Sequence, residues 1–116
     1  MTSSQIPEWV PVTTFLNGAS VQTFGFAPAY RVWPDGKVEW RGVVKFPATT
    51  GTLEILTVPT VARPAVDVHA SAAASAPSTG MARLDVCDPA APTTIRVSMS
   101  ASKEWVSLDG LYYYLT

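Results

Sequence analysis

At 116 residues the chain has the length of one domain, which buries roughly two thirds of the surface that its unfolded form exposes. Eight basic and nine acidic residues leave a formal charge of −1, and no cluster of Lys or Arg could neutralise several phosphates at once, which disfavours nucleic-acid binding. Ten prolines break the chain too often for long helices, no apolar run could span a bilayer, and the single Cys87 has no partner for an internal disulfide.

Residues 1–8 are polar, carry Pro7 and read as a loose N-terminal leader; residues 9–116 are expected to form a single domain. The opening MTSSQIPEW lacks the basic-then-apolar layout of a secretory signal, so the protein is expected to be made in the cytoplasm and kept soluble. Residues 9–16 (WVPVTTFL) favour a strand, but Pro11 confines it to an edge. Asn17-Gly18 is a turn signal, and residues 21–26 alternate weakly before Pro28 closes them. This first third reads as an edge or lid on the sheet that follows.

Residues 30–46 (YRVWPDGKVEWRGVVKF) carry the strongest local signal, a hairpin. Pro34 presets φ for the second position of a turn, Asp35 suits the third and Gly36 the left-handed position after it. Tyr30 and Val32 are then expected to return antiparallel to Val38 and Trp40. Beyond the turn Val38, Trp40, Gly42, Val44 and Phe46 fall on one face of a half-buried strand, with Lys37, Glu39, Arg41 and Lys45 on the other.

Thr49-Thr50-Gly51 is expected to turn the chain into a strand with Leu53, Ile55 and Thr57 on one side and Glu54 and Leu56 on the other. Val58-Pro59 and Arg63-Pro64 bracket an irregular connection, because a residue before proline is pushed into extended backbone. Residues 66–76 mix helix-favouring alanines with Val66, Val68 and alternating Asp67 and His69; flanking prolines leave little room for a helix, so a strand is predicted. Ser78-Thr79-Gly80 is a turn signal. Residues 81–88 place Ala82, Leu84 and Val86 opposite Arg83, Asp85 and Cys87, and residues 88–92 turn again. Residues 93–100 set Ile95, Val97 and Met99 against Arg96, and residues 104–115 give two short strands about Asp109-Gly110, with Tyr112 and Tyr114 on one face and Tyr113 on the other. About eight short strands at this spacing predict an all-β chain forming one antiparallel β-sandwich, jelly-roll-like or related.

Catalytic patterns are sparse. Asp67, His69 and Ser71 would share one face of a strand, but neighbours two apart stand side by side and do not converge as nucleophile, base and orienter must. Asp85 and Asp88 are the closest acid pair, yet a glycosidase needs two carboxylates facing across a sugar, and both read as solvated residues beside the Pro89 turn. One histidine and one distant cysteine do not make a metal set. No enzyme activity, metal or cofactor is expected.

Several motifs, taken in order, resemble the C-terminal head domains at the tips of tail fibres and minor tail proteins of tailed bacteriophages and prophages. They are Trp9, Asn17-Gly18, Tyr30-Arg31, Asp35-Gly36-Lys37-Val38 and Trp40-Arg41-Gly42-Val43-Val44, then residues 56–59 with Arg63-Pro64, and residues 105–111 (WVSLDGL). The resemblance implies a β-sandwich, usually a homotrimer, that sits at the virion tail tip beside other tail proteins and adsorbs to host cell-wall polysaccharide. A structural tail, baseplate or head-decoration role is the alternative.

Saccharide binding needs aromatic faces for the sugar's C–H surface. Trp33 beside the hairpin tip, with Tyr112 and Tyr113 in the C-terminal tyrosine run, are the candidates. Trp40 and Trp105 are expected in the core, and Arg31 and Arg41 on the outward face of the hairpin, paired with Glu39 or Glu54.

Overall fold

Turn residues and prolines cut the alternating apolar stretches into strands. A computed structural model, described for residues 6–75 and 80–116, arranges them as two antiparallel sheets packed face to face. In chain order the strands are β1 (Val10–Pro11), β2 (Ser20–Val21), β3 (Ala29–Val32), β4 (Lys37–Arg41), β5 (Val43–Thr57), β6 (Val68–Ala73), β7 (Met81–Asp88), β8 (Ala91–Ser107) and β9 (Tyr112–Tyr114), with a 3-10 turn over Thr60–Ala62. One sheet has the order β1-β3-β4-β9 and the other β2-β5-β8-β7-β6. The architecture is an all-β sandwich, as the strand spacing predicts.

The core lies between the sheets. Tyr30, Val38, Trp40 and Tyr113 enter it from the four-stranded sheet, and Val44, Phe46, Leu84, Val86, Ile95, Val97 and Val106 from the five-stranded one. Alternation puts these apolar side chains inward and leaves their neighbours outward.

The predicted hairpin forms in the expected register, with Tyr30 opposite Trp40 and Val32 opposite Val38. Its turn closes through Gly36 N–H to Trp33 O (2.9 Å) and Trp33 N–H to Lys37 O (2.8 Å), while the Asp35 carboxylate accepts from Lys37 N–H at 3.0 Å. The strand after it departs from expectation. Gly42 breaks it with a φ of +106°, and β5 starts at once in the opposite sheet. Val38 and Trp40 therefore face Val44 and Phe46 across the core instead of continuing one strand face.

Residues 49–51 do not turn the chain. β5 runs through them, and its pairing with β8 absorbs the irregularity as register shifts on both sides of Thr49. A further shift between Glu54 and Leu56 buries both Ile55 and Leu56, so Leu56 does not share the outer face with Glu54. The strand expected at 93–100 likewise continues to Ser107 as a single β8. The opening segments behave as edges: β1 caps one sheet beside β3, and β2 caps the other beside β5. Residues 1–5 of the expected leader, and residues 76–79 of the expected strand end and turn, lie outside the described residues.

Candidate binding surface on the four-stranded sheet

The same alternation that buries Tyr30, Val38, Trp40 and Tyr113 turns Arg31, Lys37, Glu39, Arg41, Tyr112 and Tyr114 outward, onto one face of the four-stranded sheet. Trp33 joins them from the hairpin turn, Trp9 from the residue before β1, and Phe26 from the loop before β3. Their contacts form an alternating row of cations and rings. The Arg31 guanidinium carbon lies 4.2 Å from the Trp9 ring centre and 4.8 Å from that of Trp33; the Arg41 guanidinium lies 4.4 Å from both Trp9 and Phe26. Beside this row Lys37 stands 4.8 Å from the Tyr112 ring centre. Each such contact contributes about 0.5–1 kcal/mol where solvent reaches it, and together they fix the orientation of long side chains that would otherwise sample many rotamers.

Glu39 ties the row to the hairpin. Its Oε1 accepts from Arg31 Nε at 3.1 Å and also from Trp33 Nε1, which holds the indole against the sheet. Burial pushes the Glu39 carboxyl up, but the hydrogen bonds from Trp33 and Arg31, with Arg31 and Lys37 charges nearby, bring it below its ordinary value. Arg31 thus pairs with Glu39 as expected. Arg41 does not pair with an acid: it is held between rings, and its Nε is buried with no hydrogen-bond partner among the described residues. Phe26 remains 58% exposed, Tyr112 57% and Tyr114 50%, so one part of the face offers open aromatic surface.

Of the three aromatics expected to meet a sugar, Trp33 and Tyr112 lie on this face and Tyr113 does not. Tyr113 is only 5% exposed; its hydroxyl donates to Ala62 O at 2.6 Å and accepts from Trp40 Nε1 at 3.1 Å. Burial raises its phenol well above the ordinary value. It is a core residue because β9 follows strict alternation, so only its two neighbours emerge. Trp40 is buried as expected, whereas Trp105 is half-buried and packs edge-to-face against Phe24 at 5.2 Å. No local pattern marks Trp9, Phe26 or Arg41 as site residues; the register of β1 beside β3, which brings Trp9 next to Arg31, is set by a two-residue pairing that the local sequence does not announce.

A second polar cluster lies on the outer face of the five-stranded sheet. Asp85, expected to be a solvated turn residue, is fully buried beneath its partners: Arg83 Nε at 2.8 Å, Ser98 Oγ at 2.8 Å, His69 Nδ1 at 2.6 Å and Arg96 Nε at 3.4 Å. Burial pushes its carboxyl up, but the hydrogen bonds from His69, Arg83 and Ser98 outweigh that and bring it to about 2. His69 Nε2 lies 2.8 Å from Asp67 Oδ2, so both ring nitrogens face carboxylates; the bonds to Asp85 and Asp67 raise the imidazole above its ordinary value.

This chemistry differs from that of a triad or a glycosidase pair. A general base needs a free lone pair beside its nucleophile, and a general acid needs a raised carboxyl. Here Ser71 shares the outer face with His69 but makes no hydrogen bond to it among the described residues, and Asp85 is held ionised.

Compared with family models, with curated proteins and with solved structures, the chain matches none.

Proposed function

We propose that the chain is a receptor-binding head domain of a bacteriophage tail tip, which adsorbs to host cell-surface saccharide through the outer face of its four-stranded sheet without hydrolysing it. The observation that carries this reading is the convergence of Trp33, Tyr112, Tyr114 and Phe26 on one face with Arg31, Lys37, Glu39 and Arg41 between them. Aromatic rings stack on the C–H faces of sugars, and fixed polar side chains at their edges bond the hydroxyls. The ordered motif series from Trp9 to Leu111 supplies the phage context.

Each site in this reading is shallow and binds weakly. A homotrimer, repeated over several fibres, multiplies the contacts and gives avidity that no single site provides. The experiment is binding of the purified domain to an array of bacterial cell-surface glycans, with Trp33→Ala and Tyr112→Ala beside the parent chain. The expected result is binding that falls about tenfold or more in each variant, in line with loss of one aromatic contact of roughly 1.5 kcal/mol, while the melting temperature changes little. Unchanged binding in both variants would remove this face from the reading.

A second reading places the chain as a structural tail, baseplate or head-decoration protein. Aromatic and Arg residues gathered on one exposed face are also the composition of protein–protein interfaces, and this favours it. Failure to bind any glycan, with normal incorporation into virions and loss of incorporation in Arg41→Ala, is the outcome that selects it.

A further inference from the structure

We propose that Asp67, His69 and Asp88 form a surface site for a divalent transition-metal ion such as Zn²⁺, on the five-stranded sheet and separate from the aromatic face. Their donor atoms converge from two segments of the chain: Asp67 just before β6 with His69 within it, and Asp88 at the end of β7. All three donor atoms lie within 4.8 Å of one another. His69 Nε2 is 2.8 Å from Asp67 Oδ2 and 4.0 Å from Asp88 Oδ2. A tetrahedral zinc with bonds of about 2.05 Å has ligand-to-ligand edges of about 3.3 Å, and the two separations bracket that value. The remaining edge, Asp67 to Asp88, is bounded at 4.8 Å, so closing the set requires the exposed Asp67 and the half-buried Asp88 carboxylates to rotate toward Nε2.

Two features of the backbone and its surroundings prepare the histidine and the distal carboxylate. Simple alternation along β7 would put Asp88 on the core side, with Leu84 and Val86. Instead Cys87 adopts a φ of +53°, the pairing with β8 shifts between Val86 and Asp88, and Cys87 turns into the core while Asp88 emerges beside His69. A bulge that re-aims a side chain is a recurrent device at functional positions. The imidazole is oriented from behind by Asp85, which takes Nδ1–H and is itself fixed by Arg83, Ser98 and Arg96. A buried carboxylate on one ring nitrogen, with the other nitrogen aimed at further donors, is the arrangement that sets the tautomer of a metal-binding histidine.

The ligand set is one neutral imidazole nitrogen and two carboxylate oxygens, which suits zinc and its first-row neighbours more than calcium or magnesium. Binding replaces the proton on Nε2 with the metal and releases that proton. Asp67 and His69 are about two-fifths exposed, so water or a group from another molecule has room to complete the coordination. Arg96 Nη2 is an ion-pair neighbour of Asp88 Oδ2 at 3.4 Å, so the ion would share that oxygen with the guanidinium.

The test uses the fact that His69 is the sole histidine of the chain. Its ring C–H signals in proton NMR therefore report one site without assignment. Titration of the full chain with ZnCl₂ at neutral pH is expected to shift these signals with a stoichiometry of one, and calorimetry to follow the same event. Asp67→Asn and Asp88→Asn are each expected to weaken binding about tenfold or more, and Asp85→Asn, which leaves all three ligands in place, by about 10- to 100-fold through the orientation of His69. Signals that do not move at a several-fold excess of zinc would overturn the site. So would equal shifts in the Asp67→Asn/Asp88→Asn double variant, since these would mean adventitious binding to a lone exposed histidine. Circular dichroism of each variant without metal separates loss of binding from loss of fold, and retained zinc binding in a variant with native spectrum but no carboxylates counts against the proposal.

Discussion

Gly42 is where a single residue decides the path of the chain. A β-carbon built on it would lie 2.5 Å from both N and Cα of Pro28 and 2.6 Å from C of Ala27, and its φ of +106° is unfavourable for any other residue. Gly42→Ala is therefore expected to destabilise the fold by more than about 2 kcal/mol, since backbone strain and a clash against main chain add. Gly51→Ala is the control: its φ of +85° carries the conformational cost, but nothing lies within 4 Å of the added carbon. Thermal denaturation should rank the two with Gly42→Ala far lower, and equal melting points would contradict the close approach. The hairpin turn was legible at this scale because Pro34, Asp35 and Gly36 act on their own backbone. The role of Gly42 was not, because Ala27 and Pro28 reach it through the tertiary fold.

Asp85 gives the second residue-level expectation. With a folded value of about 2 and an ordinary value of 3.8, the group is depressed on folding, so its stabilising contribution is full above about pH 4 and is lost as pH falls through 2. The shift corresponds to about 2 kcal/mol. Urea denaturation of the metal-free protein between pH 6 and pH 2 should show this loss, and Asp85→Asn should flatten the acid limb while lowering stability at neutral pH. A parent chain whose acid limb matches that of Asp85→Asn would show that the cluster does not hold the carboxylate. The sequence suggested a solvated acid near a turn; His69, Arg96 and Ser98 cover it from the strands on either side, and that neighbourhood exists only after β6, β7 and β8 pair.

At the scale of elements, local alternation identified β3 and β7 with nearly their observed limits, found the start of β4 but not its end at Gly42, and placed β6 inside a longer predicted stretch. It failed where strands are long. β5 and β8 pair along most of their length, and the register shifts near Thr49 and Leu56 let one strand pass through Thr49-Thr50-Gly51 without reversing. Turn chemistry names a place where the backbone bends, and whether it becomes a turn or a bulge depends on whether a partner strand continues beside it. The short β9 depends on such a partner entirely: it pairs with β4, with Val38 opposite Tyr113 and Glu39 opposite Tyr112.

Tyr113 links that strand to two others. Its hydroxyl accepts from Trp40 Nε1 in β4 and donates to Ala62 O in the 3-10 turn. Tyr113→Phe keeps the ring and removes both bonds, leaving a buried indole N–H and a carbonyl without this partner. A loss of about 1–3 kcal/mol is expected in chemical denaturation, with Trp40 fluorescence reporting the changed environment. A variant as stable as the parent would mean that the bonds contribute nothing net.

For the whole molecule, the sandwich assigns different chemistry to its two outer faces. Stacked rings and cations cover the four-stranded sheet, while ion pairs centred on Asp85 cover the five-stranded one. Under the proposed role as a trimeric tail-tip head, light scattering at micromolar concentration is expected to give three times the monomer mass, and dilution to weaken glycan binding more steeply than a single site would. A monomer at that concentration would remove the trimer from the proposal while leaving the aromatic face to be tested by itself.

The amino-acid sequence alone determined the all-β character, most strand positions, the hairpin register and the inward placement of Val38 and Trp40, because period-two alternation and turn residues act over a few neighbours. Only the tertiary structure decided that the chain changes sheets at Gly42, that Tyr113 is core while Tyr112 is surface, and that Asp67, His69 and Asp88 meet. The physical reason is common to all three: each depends on which distant strand lies alongside, and alternation fixes two faces without saying which one the second sheet will cover.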